Sequence, residues 1–358
     1  MSETRLIDIG ERRLISEYLR PRYSGRNKWR YGDDCAVIFD ASRSPNGVIV
    51  ATADPGPRPV AWDLGFHDYY YWGWLAAAVN WSDIAAAGAD PLGLVTSLTL
   101  PNDMRVSDFL RLLDGIDACS DLVRSEVQGG NLKEGKAVGC EATAFGVVRG
   151  GSPLSRKGAQ PGEAICALGC TGLFWSGVLA LKAGIMLSEQ DTRLVRQALL
   201  EPTPLVEVGQ RVRDHDLVSA CTDNSDGLYG ALRGLSESSG VGFEVDADSF
   251  EYSDTVHRIS GALSTDPTRM AFGFGDMQLV CSSPQAKIGD LRSICEDLSV
   301  GFSTLGRVTD RSDLLLIKDG RSGRLANLDN ERFTRSSQFT AGLESYRIRL
   351  FERPLWET

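Results

Sequence analysis

Residues 68–93 read DYYYWGWLAAAVNWSDIAAAGADPLG. From about Asp68 to Ala87 the run is rich in alanine and aromatic side chains and reads as one long helix. Gly88 closes it, with Pro91 just beyond. Asn80 and Asp83 stand three apart in that helix and so share one face. The following segment, LGLVTSLTL (92–100), reads as a strand.

Outward from this pair the chain alternates strands and helices. Upstream, residues 11–19 (ERRLISEYL) have helical spacing up to Pro21. CAVIFD (35–40) and GVIVATAD (47–54) read as strands, the second ending on Asp54, and PGPRPV (55–60) as a loop. Downstream, residues 106–124 form an amphipathic helix and AVGCEATAFGVV (137–148) a further strand. The polar turn cluster at 150–162 divides the chain. After it come strand EAICALG, helices to about His215, strand LVSACTD and a helix from Gly227. Strand GFEV, a helix near 253–264, strand MQLVCS, a helix near 286–298 and strands STLGRV and LLLIK complete the order. Two α/β halves with mixed-direction sheets fit this order better than one doubly wound sheet.

The bulk numbers exclude several classes. A chain of 358 residues with 42% hydrophobic content suits a soluble protein of two domains, needing no disulfide or metal to hold its core. Its 8 cysteines form no CxxC pair, and only 3 histidines are present, so a zinc or haem site is not expected and the thiols read as reduced. His67, His215 and His257 include one near the helix above, His67, which reads as a surface or capping residue. A net charge of −10 argues against a nucleic-acid partner, and no apolar run reaches membrane length. MSETRLIDIGERR at the start lacks an apolar signal core, so a cytoplasmic location is expected.

GGNLKEGKA (129–137) comes within one residue of a phosphate loop, from Gly130 to Lys136, but Ala137 replaces the hydroxyl residue. Such a loop must open a helix, whose free amides hold the phosphates. A strand follows instead, so the match is a coincidence.

The acidic residues suggest a different device. Asp33 and Asp34 precede a strand, Asp54 ends one, and Asp83 lies on the alanine-rich helix. Asp223 and Asp226 in DNSDGL end a strand and open a helix, and Asp276 follows FGFG. Each alone is explained as a cap or a solvated residue. Their repetition at strand ends, beside glycines that permit close backbone approach, is the unusual feature. Magnesium binds carboxylates and phosphate oxygens, so scattered acids with a glycine-rich loop suit a metal–triphosphate site.

These motifs carry a family resemblance. GDDCAV, TAD, AVNWSDIAAAGADPLG, GGN and DNSDGL follow the order and approximate spacing of the thiamine-monophosphate kinase family, over about residues 10–320. That family belongs to the superfamily of aminoimidazole ribonucleotide synthetase, selenophosphate synthetase and the hydrogenase-maturation dehydratase. The resemblance implies a two-domain α+β, α/β fold with helices on one face of mixed sheets and N-terminal domains pairing in a homodimer. It implies residues 1–155 as an ATP- and magnesium-binding, dimerising domain, 156–325 as a C-terminal α/β domain and 326–358 as an extension. It assigns magnesium (Mg2+) to Asp33, Asp34, Asp54, Asp83, Asp223 and Asp226. ATP falls to Gly32, Asp33, Gly129, Gly130, Asn131 and Ser225, and catalysis to Asp223, Asp226 and Asn131.

The chain also departs from the family. GGDT becomes GGNL, with Asn131 in place of an acid, and GGEDYEL becomes GFGDMQL, losing an acid at Gly275. The Gly-x-His-Phe substrate stretch is not visible, and PGPRPVAWDLGFHDYYY (55–71) stands in its place; the aromatic run Tyr69, Tyr70, Tyr71, Trp72 and Trp74 offers stacking for a planar substrate but also suits helix packing. The expected function is therefore an ATP- and magnesium-dependent phosphotransferase acting on a small planar or phosphorylated metabolite other than thiamine monophosphate. The alternatives are a synthetase that activates an amide oxygen and forms a C–N bond, and an inactive nucleotide-binding partner subunit.

Overall fold

The computed structural model describes residues 6–19, 21, 33–39 and 46–357. Gly32, assigned above to the nucleotide, and Asp40, at the end of the CAVIFD strand, lie outside the described residues. One sheet contains β1 (Ala36–Phe39), β2 (Val48–Gly56), β3 (Asp90–Leu100), β4 (Val127–Glu134) and β5 (Gly139–Val148) in the order β1-β2-β5-β3-β4. The other contains β6 (Ala164–Leu168), β7 (Ala220–Asn224), β8 (Gly242–Asp246), β9 (Gln278–Ser283), β10 (Phe302–Thr309), β11 (Leu314–Lys318) and β12 (Arg321–Arg324). Their order is β12-β11-β8-β10-β6-β9-β7. The β3–β4 and β8–β11 pairs are parallel and the other neighbours antiparallel, so both sheets are mixed, as expected.

The long helix is observed as Tyr69–Ala86. The Asp68 carboxylate caps it by accepting from the Tyr70 amide at 2.9 Å, and Arg111 pairs with the same carboxylate at 2.8 Å. Nearly all of the helix beyond Tyr71 is buried within one chain, between the first sheet, the Val106–Leu122 helix, the Val206–Asp214 helix and β7. Trp72 and Trp74 belong to this packing, and the Trp74 indole donates to the Pro202 carbonyl at 2.9 Å.

In the second sheet, β6 is buried along its whole length, and its period-2 alternation serves two cores. Ala164, Cys166 and Leu168 face the core containing the long helix, whereas Ile165 and Ala167 face a second core under the Leu173–Ala183 and Leu228–Ser239 helices. All 8 cysteines are free thiols, and only Cys170 is exposed. Among the described residues no helix is long and apolar enough to cross a membrane.

Two strands escape a reading of apolar alternation. The first is β4, VQGGNLKE, an edge strand exposed almost throughout, so no buried face imposes a pattern on it. The second is β12, RSGR, another edge strand. At the other end of the chain, residues 11–19 form a turn, Glu11–Arg13, and a π-helical turn, Leu14–Leu19, in place of one regular helix.

The crossing of the Tyr69–Ala86 and Val106–Leu122 helices depends on two glycines. A Cβ on Gly73 would stand 1.9 Å from the Leu112 carbonyl oxygen, and one on Gly115 1.9 Å from that of Tyr70. Gly115→Ala gains about 1 kcal/mol of helix propensity but forces the two backbones apart, an overpacking cost of up to about 3 kcal/mol. The expected net outcome is a loss of about 2 kcal/mol in urea unfolding. An unchanged midpoint would argue against a close crossing.

Candidate functional site

The site begins at an open strand edge. β1 accompanies β2 only to the Ala36–Ala51 pair, so among the described residues no strand lies beyond Ala51 on the side of β2 turned away from β5. Side chains of the long helix take over there. The Asp54 amide donates to Asn80 Oδ1 at 3.0 Å, and Asn80 Nδ2 donates to the Asp54 carbonyl at 3.1 Å. The Trp72 indole donates to the Gly56 carbonyl at 2.9 Å. A Cβ on Gly56 would lie 2.3 Å from that of Ala76, so the helix can lie against this edge only because residue 56 is glycine. One helical turn from Asn80, Asp83 accepts from the Thr52 hydroxyl at 2.5 Å.

This docking carries Asp83 to a point where both halves of the chain meet. One carboxylate oxygen from each of Asp34, Asp83 and Asp223 lies within 4.8 Å of the others. Asp223 enters from β7 in the second sheet and accepts from the Ser82 hydroxyl at 3.1 Å. Asp34 accepts from the Thr222 hydroxyl at 3.1 Å and from Arg156 Nε at 3.3 Å. So much like charge in a buried place disfavours ionisation. Burial holds the Asp83 carboxyl well above the usual carboxylate range, and Asp223, Asp34 and Asp54 add to the effect. Asp223 is pushed up to about 7, by burial first and then by Asp34, against the pull of Arg156 and Ser225. Burial also raises Asp54, with Arg332 opposing and Asp226 and Asp34 reinforcing.

Beside the cluster are two cavities. A polar one of about 240 Å³ is lined by Arg12, Asp54, Arg156, Asp223, Asp226 and Arg332 among others. A narrower apolar one is walled by Val60, Tyr71, Leu75, Phe174, Phe274 and Phe339 among others. Asp54, Ser225, Asp226, Asn330 and Arg332 line both, so these residues mark where the cavities meet. Asp226 is exposed there, at the start of the Leu228–Ser239 helix. Hard carboxylate oxygens converging beside a polar cavity fit a divalent cation of the magnesium type.

The remaining candidates lie elsewhere. Asp33 accepts from the Ser155 hydroxyl at 2.9 Å and the Arg156 amide at 3.0 Å, and so braces the connection between the halves. Asp276 accepts from the Gly172 and Phe174 amides at 2.6 and 2.9 Å, at the start of the Leu173–Ala183 helix. Gly129, Gly130 and Asn131 lie on β4 rather than in a turn. The sheet register runs Asp54–Ala142–Thr96–Gly130, which puts Gly130 three strands, about 14 Å, from Asp54 within one chain. His67 is exposed and sits 2.9 Å from the Trp62 carbonyl. Of the aromatic run, Tyr71 alone lines the apolar cavity.

Sequence reasoning missed Thr52, Ser82, Thr222, Arg156 and Arg332. The first two had a signal: Thr52 shares a strand face with Asp54, and Ser82 adjoins Asp83. The arginines had none, since both stand in irregular segments with no period.

Comparison with known proteins agrees with this architecture. Residues 32–148 match the N-terminal domain, and residues 160–318 the C-terminal domain, of the AIR synthase related proteins. The thiamine-monophosphate kinase of Salmonella typhimurium is 31% identical over 316 residues, spanning 87% of this chain and 94% of that relative. The crystal structure of the thiamine-monophosphate kinase from Stenotrophomonas maltophilia K279a superposes with a TM-score of 0.68 at 28% identity, over 86% of this chain and 96% of that one. The fold is also that of AaThiL complexed with AMPPCP and TMP, with a TM-score of 0.77 at 24% identity over 93% of this chain and 100% of that one. The chain belongs to the AIR synthase-related family, as a thiamine-monophosphate kinase-like member.

Proposed function

We propose that this protein transfers the γ-phosphoryl group of ATP, with magnesium, to the phosphate of a small planar acceptor, thiamine monophosphate being the first to test. Its family membership makes it a kinase-like, ATP-dependent enzyme. The observation that carries the finer reading is the convergence of Asp34, Asp83 and Asp223 beside the meeting point of a polar and an apolar cavity. A metal–triphosphate suits the first cavity and a planar ring the second. The sequence-based exclusion of thiamine monophosphate rested partly on the aromatic run. Trp72 and Trp74 are committed to packing, and relatives named for that substrate cover most of the chain, so the exclusion has no support. No observation favours the C–N-forming alternative, whose argument needed Asn131 beside the reacting oxygen.

Asp34, Asp83 and Asp223 would hold magnesium, with Asp54 and Asp226 at the mouth. When bound, magnesium supplies neutralisation of the triphosphate charge. A phosphate acceptor is already deprotonated, so the chain needs to supply no general base. Its task is to align the two substrates and exclude water, and Phe174, Phe274 and Phe339 line the acceptor side for that purpose.

A homodimer belongs to the same proposal. Among the described residues β4 has a neighbour on one side only; it exposes Leu132 at 61%, while Leu92 and Val95 of β3 are also exposed. The long helix lends no support, because its apolar surface is consumed within one chain. Pairing of the first sheets would bring Gly129, Gly130 and Asn131 of one copy toward the other.

Phosphorus NMR with magnesium, ATP and thiamine monophosphate should show ADP and a new diphosphate ester. Asp223→Asn should slow its formation at least ~100-fold. ADP with free phosphate alone would count against the kinase reading.

Stability should report the same cluster. In the fold Asp223 keeps its proton to about pH 7, whereas an unfolded aspartate releases it near pH ~4. The native state therefore binds more protons between these values, and stability in a chelator should fall as pH rises from 5 to about 7. Magnesium should cancel the fall and Asp223→Asn should lessen it, Asp83 and Asp54 contributing the remainder. A melting temperature that rises over this range in chelator would contradict the buried cluster.

Light scattering should give twice the monomer mass for the wild type and a smaller mass for Leu132→Asp. A monomeric wild type at micromolar concentration would remove the dimer.

A further inference from the structure

Arg332 lies beyond the C-terminal domain match, which ends at residue 318. The segment beyond β12 folds back over the site and is held on both sides of this residue. Arg12 donates to Asp329 at 2.8 Å, the Glu11 amide donates to the Arg332 carbonyl at 3.1 Å, and Gln338 donates from its amide to Asn330 at 2.9 Å. Farther along, Tyr346 is fully buried against Phe274 and Trp175. The backbone at Arg332 is thus fixed, and its side chain projects to the meeting point of the two cavities.

The state of that side chain is unusual. Other arginines lining the cavities are spent: Arg12 on Asp329, Arg58 on Asp63 at 2.6 Å, and Arg156 on Asp34 and Thr222. The Arg332 guanidinium, 30% exposed, donates no hydrogen bond to any described residue. Its closest carboxylate oxygen, on Asp226, is 3.9 Å away, and it lies 5.4 Å from the Phe339 ring centroid. A guanidinium carries five N–H donors in a fixed fork that matches phosphate oxygens. Here those donors are held partly desolvated, where a group passing from the polar to the apolar cavity must cross.

We propose that Arg332 is a catalytic residue that donates to the non-bridging oxygens of the phosphoryl group in flight. This rests on the kinase reading above. An oxygen of the acceptor phosphate bonds to the γ-phosphorus as the bond from that phosphorus to the β,γ-bridging oxygen breaks. ADP leaves with the bonding pair, and Arg332 stays protonated throughout.

Calorimetry on the full-length protein tests it with two probes, each with magnesium: AMPPCP for the ground state and ADP–fluoroaluminate for the phosphoryl group in flight. Arg332→Ala should bind AMPPCP within about threefold of wild type yet lose about 1,000-fold for ADP–fluoroaluminate, with a similar fall in kcat on thiamine monophosphate and little change in KM for ATP. Arg332→Lys, which keeps the charge and the stem, should fall between. Melting temperatures near wild type establish that the variants fold, and the lysine variant decides if the alanine variant does not. Equal ADP–fluoroaluminate affinity in variant and wild type overturns the role of Arg332 and leaves the kinase reading intact. Equal losses for both probes make Arg332 a ground-state binder and overturn it as well. A wild type that binds neither probe overturns the kinase reading and this inference together.

Discussion

The contact on which the site depends is the Asn80 side chain lying along the unpaired edge of β2. An exposed strand edge inside a protein leaves amides and carbonyls that cost about 1–3 kcal/mol each if unsatisfied. Asn80 meets both groups of Asp54, because its amide offers one donor and one acceptor in the arrangement a neighbouring strand would present. An aspartate there would lack the donor and an alanine both. With Trp72 on Gly56, this pins the helix at two points along the edge, and the helical repeat then fixes Asp83 over Thr52.

From that docking follows the electrostatic character of the site. Asp83 is delivered into the narrow space where the second sheet brings Asp223, and Asp34 arrives from just before β1. None of the three can spread its charge into water, and Arg156 answers only part of it. Charges so placed are costly to the isolated chain, and under the proposed function a cation sharing the space with a triphosphate would offset that cost.

The two halves contribute unequally to the reaction proposed. The first sheet and its helix supply the rigid acids Asp54 and Asp83, and the second sheet supplies Asp223 and the start of the helix at Asp226. The C-terminal segment, beyond the second-domain match, adds Asn330, Arg332 and Phe339 to the cavity walls. Acceptor choice can therefore change with this segment while the acids proposed to hold the metal stay in place.

Much of this was legible in the residues. The alanine-rich helix, the alternating strands and the acids at their ends are local patterns, and local patterns survive in a sequence because each reports a period or a cap. So Asp34, Asp54, Asp83, Asp223 and Asp226 are marked by local sequence alone. Other features depend on which segments meet. Asp33 looked equivalent to Asp34, yet backbone direction turned one toward Ser155 and the other toward Asp223. The resemblance put GGN beside the nucleotide, but edge pairing made it part of β4, a strand whose exposure erases any apolar pattern. Arg156 and Arg332 carry no periodic mark. Their roles come from long-range packing of irregular segments, which only the folded chain brings within reach of the acids.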